Sequence, residues 1–176
     1  LEDYADLPMA ADVYFWLGDH YANAGDLEES ERYFRELYTR QPESPLAPRA
    51  LYEAARIRFS DDRMDGAMEL LRELLRQFPE ADPGVRARAE MLQGDILADD
   101  GRLDEALAHF RSAHSLAPES RTGLAALGRA GDMLMARASD DADSASLEKA
   151  LQHFDAIAST PSVSPSMREK AVYRKA

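Results

Sequence analysis

The sequence contains no cysteine. Disulfides, thiolate metal sites and cysteine nucleophiles are therefore excluded, and cysteine usage says nothing about the redox compartment. No apolar run reaches about 18 residues, so nothing here reads as a membrane-spanning helix. Positive charge is also scarce: 21 Lys and Arg stand against 33 Asp and Glu, a formal charge of −12. So acidic a chain repels phosphate backbones, which argues against nucleic-acid binding and favours a basic or neutral partner. Val and Ile are few and alternation of period two is missing, which argues against strands. HExxH, a P-loop glycine run and G-x-S-x-G are all absent.

What is present is helical in pattern. The 176 residues are 45% hydrophobic and 31% charged, enough for one compact domain or a short solenoid. Nine prolines bound long segments rich in Ala, Leu, Glu and Arg, as expected of a residue that collects at helix starts and between helices. Apolar residues recur at steps of three and four; Met64, Ala67, Leu71, Leu74 and Leu75 make one core-facing stripe. Smaller breakers halve each segment: Ala24-Gly25-Asp26, Ser60-Asp61-Asp62, Asp100-Gly101-Arg102 and 139–146. Glycine accepts the left-handed conformation that ends a helix, and Asp or Ser caps the next. Asp26 and Glu29 have the spacing of a capping box. The pattern predicts helix pairs at 9–24 with 27–41, 46–60 with 63–77, 84–99 with 103–116, and 121–138 with 147–158. A ninth helix begins near Ser166. A first residue other than Met and a helical pattern running to Ala176 read as a segment of a longer chain, so a missing signal peptide says nothing of compartment.

The second helices align on a small residue: Ser30, Ala67, Ala106 and Ala150. Four positions later stand Phe34, Leu71, Phe110 and Phe154, and a proline closes each copy at Pro42, Pro79, Pro118 and Pro161. First helices align on Leu17-Gly18-Asp19 with Tyr21, Ala54-Ala55 with Arg58, Gln93-Gly94-Asp95 with Leu97, and Ala130-Gly131-Asp132 with Leu134. These slots resemble the tetratricopeptide repeat pattern L-G-x2-Y, A-x3-F, P. The first copy matches best. Its departure is Ser30; the second copy lacks the glycine and puts Arg58 in the tyrosine slot.

The resemblance implies an all-α, right-handed solenoid of antiparallel helix hairpins over 1–176. About four repeats (9–42, 46–79, 84–118, 121–161) are followed by a partial terminal helix at 165–176. Gln41–Pro48 and Tyr14–Asp19 further resemble long-period repeats of bacterial envelope proteins, the Tol–Pal-associated factors and outer-membrane-assembly lipoproteins. That implies an envelope scaffold, with the periplasm ahead of the cytoplasm. Repeats of this kind bind proteins or peptides on a concave wall built from first helices. The wall then holds Phe15, Asp19, Tyr52, Arg56, Phe59, Met91, Asp95, Asp132 and Met135. Its carboxylates favour a basic or apolar partner over an acidic one and argue against capture of acidic C-terminal tails. An oligomerising module that uses the ends of the solenoid is the alternative.

No catalytic, cofactor or metal site is expected. His109 and His153 share a slot one residue before the phenylalanine, which is more simply a helix-surface position than a catalytic pair. Asp140, Asp141 and Asp143 lack the glycine and distal glutamate of a calcium loop, with Ser146 and Gln152 at those places. They read as a solvated acidic loop.

Overall fold

The structure, a computed structural model, describes residues 9–141 and 143–175, with side chains at Asp140 and Asp141 not among them. Among the described residues there are nine helices and no strand. They are α1 (Ala10–Ala24), α2 (Leu27–Arg40), α3 (Ala47–Ser60), α4 (Met64–Gln77), α5 (Pro83–Asp99), α6 (Leu103–Leu116), α7 (Arg121–Asp141), α8 (Ser144–Ser159) and α9 (Pro165–Lys175). The chain divides into two compact units, Leu1–Val85 and Arg86–Ala176. In the first, α1 pairs with α2, α3 pairs with α4, and α2 lies against α3. In the second, α7 pairs with α8, while α6 packs on α7 and α8 on α9. Helices α2, α6 and α8 thus each lie against the first helix that follows.

The breakers act as their chemistry dictates. Gly25 ends α1 at φ 82°, and Gly101 follows α5 at φ 75°. Asp62 holds the same left-handed region at φ 58° between α3 and α4, a place open to Asp because its short polar side chain tolerates it. The Asp26 carboxylate accepts from the Glu29 backbone N–H at 3.2 Å and opens α2. The seam between α7 and α8 differs from expectation. Helix α7 runs on to Asp141 and α8 begins at Ser144, three residues early. No glycine or proline interrupts the Ala-rich end of α7, and Asp143 caps α8 by accepting from Ala145 and Ser146 N–H at 3.1 and 3.3 Å. Those bonds hold the Asp143 carboxyl below its ordinary range, the Ser146 hydroxyl first among them. Ala142 lies outside the described residues.

The core is a set of rings seated on missing side chains. Phe34, Phe110 and Phe154 are each at most 1% exposed, a burial that stabilises by about 2–3 kcal/mol apiece. A Cβ placed on Gly18 would sit 2.6 Å from the Phe34 ring, on Gly94 2.6 Å from Phe110, and on Gly131 2.8 Å from Phe154. The second hairpin uses Ala55 and Leu71 instead, both fully buried. Ser30 also has its reason. Its hydroxyl, fully enclosed, donates to the Gly18 carbonyl at 2.7 Å.

Candidate partner-binding surface

In the first unit the wall residues separate by burial. Phe15 is 7% exposed. Its ring packs edge-on against Phe34 at 5.3 Å, and the Arg49 guanidinium lies 4.4 Å above it. Phe15 is therefore a core ring under an arginine lid, which corrects its placement on the wall. Tyr52 and Phe59 are half-buried on α3. Arg56 is exposed and its Nε donates to Glu53 at 2.7 Å. Asp19 is half-buried, and burial pushes its pKa up; Arg49 opposes that, Glu53 adds to it and Arg56 opposes it again.

In the second unit, Met91 and Met135 are half-buried on α5 and α7. The two carboxylates of this wall are already engaged. Arg129 of α7 brings Nη1 to 2.7 Å from Asp95 Oδ1, an ion pair without hydrogen-bond alignment. Arg174 of α9 brings Nε to 2.8 Å from Asp132 Oδ1. Burial outweighs the arginine at Asp95 and lifts its pKa to about 6. Burial also raises Asp132, against Arg174 and Arg129. Each of these aspartates thus pairs with an arginine from the next first-type helix, and neither is a bare charge awaiting a ligand.

The tyrosine slot of the second copy serves the seam between hairpins. Arg58 Nε donates to Glu31 Oε1 at 2.8 Å and Nη1 to the Gly66 carbonyl at 3.1 Å. Arg63 Nη2 reaches Glu31 Oε2 at 2.6 Å. Burial alone would raise the pKa of Glu31; the bonds from Arg58 and Arg63 outweigh it and hold the group below its ordinary value. His109 and His153 are partly enclosed as well. His109 Nδ1 lies 2.6 Å from Glu90 Oε2. The pKa of His153 is pushed down by burial, then by Arg111 and His114. Among the described residues, no three His, Asp or Glu side chains gather as metal ligands would.

The exposed ring of α1 is one that sequence reasoning passed over. Trp16 is 62% exposed. Its indole stacks on His20 at 5.2 Å and 16°. Tyr21 stacks on Tyr33 at 5.4 Å, with Arg32 4.2 Å over the Tyr33 ring. The signal was helical spacing: Met9, Asp12, Trp16 and His20 share the face opposite the buried stripe.

A tetratricopeptide repeat family model matches residues 1–45, 40–84 and 80–121. The chain belongs to the tetratricopeptide repeat family. Solved structures of the same fold lie at low identity. The crystal structure of MamA is 17% identical over 88% of this chain and 84% of its own, with a TM-score of 0.63. A tetratricopeptide repeat protein from Parabacteroides merdae is 16% identical over 93% of this chain and 60% of its own, at 0.67. The N-terminal domain of stress-induced protein-1 from C. elegans is 16% identical over 66% of this chain and 91% of its own, at 0.57. No curated protein matches this chain. At such identities the likeness is one of fold, and within the tetratricopeptide fold the departures at Ser30, Ala55 and Arg58 are accommodated by packing.

Proposed function

We propose that this tetratricopeptide chain is a protein- or peptide-binding scaffold with no catalytic role, contacted through its first helices. The observation that carries the reading is a division of labour within each repeat. Helices α2, α6 and α8 seal their rings against glycine and α4 buries Leu71, whereas α3, α5 and α7 leave Tyr52, Phe59, Met91 and Met135 half-exposed. Partly exposed aromatics and methionines supply adaptable contact area. The charge of −12 steers basic segments toward the chain. Asp95 and Asp132, held by Arg129 and Arg174, set the polarity of the wall from within ion pairs. An envelope setting finds support in the Gln41–Pro48 and Tyr14–Asp19 segments alone.

The test is a crosslinked pulldown from the native cell with the chain and a Tyr52→Ala, Phe59→Ala double variant. One protein recovered by the chain and lost with the variant, at unchanged helicity by circular dichroism, supports the wall. Equal recovery moves binding elsewhere. Lost helicity makes both rings core residues and removes them from the site.

A further inference from the structure

We propose that the cleft between the start of α6 and the end of α7 docks a segment of a protein partner that carries an apolar side chain flanked by Lys or Arg. The surface goes beyond the first-helix wall and lies off it. Met133 and Arg137, which line the cleft, project at least about 100° around α7 from the wall residues Asp132 and Met135.

A comparison of matching seams shows why the cleft is there. Where α2 lies on α3, Glu31 faces Arg58 and Arg63 and an ion network crosses the seam. Where α6 lies on α7, the same slots hold Leu107 and Leu134, and both are buried. That seam keeps an open cleft of about 480 Å³ with Leu107, Leu103, Met133 and Ala136 in its walls. Leu103 is 48% exposed. Arg137 reaches across the rim to Asp104 at 2.9 Å.

The rim is acidic. Asp104 gives one oxygen to Arg137, yet its side chain stays 84% exposed. Asp100, in the turn before α6, is exposed, and its carboxylate makes no hydrogen bond or ion pair among the described residues. It follows the C-terminus of α5, where the helix dipole disfavours a negative charge. Arg102, the cation beside it, is spent on Glu105 through Nε at 2.7 Å and Nη2 at 2.6 Å.

The chemistry of the occupant follows. An acidic segment meets Asp100 and Asp104 on a chain of charge −12, and is repelled. A wholly apolar one fills the cleft but strips water from both carboxylates with nothing in return. A segment with Leu or Met beside Lys or Arg satisfies both parts. Its apolar side chain lies on Leu103 and on the adaptable Met133, and its cation takes the outer oxygen of Asp104 in a charge-assisted hydrogen bond.

The chain has seven methionines, and their methyl signals separate the two surfaces: Met133 reports on the cleft, Met91 and Met135 on the wall. The 176-residue chain, labelled at these methyls, is titrated with a short peptide of Leu flanked by Lys and Arg. A second peptide carries Ser for Leu, and a third carries Glu for the basic residues. Expected are saturable movement of the Met133 signal with the first peptide, Met91 and Met135 unmoved, and little response to the other two. Ala136→Phe, which fills the cleft from an exposed position, and Asp104→Lys each weaken binding roughly tenfold, while Tyr52→Ala with Phe59→Ala leaves it unchanged. Four results overturn the proposal: a Met133 signal indifferent to the Leu peptide, an equal response to the Ser or Glu version, binding indifferent to both Ala136→Phe and Asp104→Lys, or self-association of the chain that itself moves Met133 and makes a second copy the occupant. Movement of Met91 and Met135 without Met133 would sink the cleft and uphold the wall.

Discussion

The second hairpin and the other three solve one packing problem with different parts. Where α1, α5 and α7 present glycine, the facing helix inserts phenylalanine; in the matching slots α3 and α4 carry Ala55 and Leu71, both fully buried. The summed volume across the seam is nearly kept, which is what a close-packed interior requires. The second hairpin also carries Arg58 where the first has Tyr21 and the others have leucine, and this arginine ties α2 to α3 through Glu31. One seam is held by ring against backbone, the other by an enclosed ion network. Tolerance to change must then differ: the first kind fails by steric excess, the second by an orphaned charge.

The largest expected effect strikes the network. Glu31→Ala leaves Arg58, only 16% exposed at its side chain, without its partner, and should cost about 3 kcal/mol in urea denaturation. Because Glu31 is held below its ordinary pKa, the stability it confers is present above that ordinary value and lost as pH falls through the lower, folded one. A cost that stays the same through that acid range would refute the network's role.

Next is an attempt to turn the first hairpin into a copy of the second. Gly18→Ala drives a methyl to 2.6 Å from the Phe34 ring and should cost about 2 kcal/mol, a Tm loss of roughly 4–8 °C. Phe34→Leu alone opens a cavity at about 1–2 kcal/mol. Combined, the two should cost clearly less than their sum, as the Ala55 and Leu71 pairing implies; simple additivity in thermal melts would break the comparison.

The smallest effect carries the opposite sign. A carboxyl whose pKa is raised to about 6 by burial binds its proton more tightly in the folded chain, so this group favours folding more as pH falls from about 6 toward 4. Asp95→Asn, a mimic of the protonated form, should raise stability at pH 7 by about 1 kcal/mol. The gain should fade as pH is lowered through 6. A loss of stability at pH 7 would mean the Arg129 pair outweighs burial.

Much of the fold was legible because it depends on local spacing. The Gly and Phe slots, the proline stops and the Asp26 cap all lie within one helix or one turn. The length of α7 was not, because the Ala-rich stretch before Asp143 contains no breaker, and the cap that ends the seam becomes visible only in its hydrogen bonds. The candidate wall was legible in outline and not in state. Phe15 lies one position from Trp16 on the buried side of α1, and the groups that enclose it, Phe34 and the Arg49 guanidinium, come from other helices. The partners of Asp95 and Asp132 likewise come from helices later in the chain. Charge pattern along a sequence records which ions are present, and not which have already found each other.

The pairs Asp95–Arg129 and Asp132–Arg174 give the second unit a direction. Helix α7 holds both halves of the coupling three residues apart, a plug at Arg129 facing backward and a socket at Asp132 facing forward. A hairpin duplicated from 121–159 and spliced in after it would bring its own arginine to Asp132 and offer a fresh aspartate to Arg174. Insertion of this module would leave no charge stranded, whereas the same module reversed in order would strand two. Such a coupling allows the stack to lengthen without redesign of either neighbour.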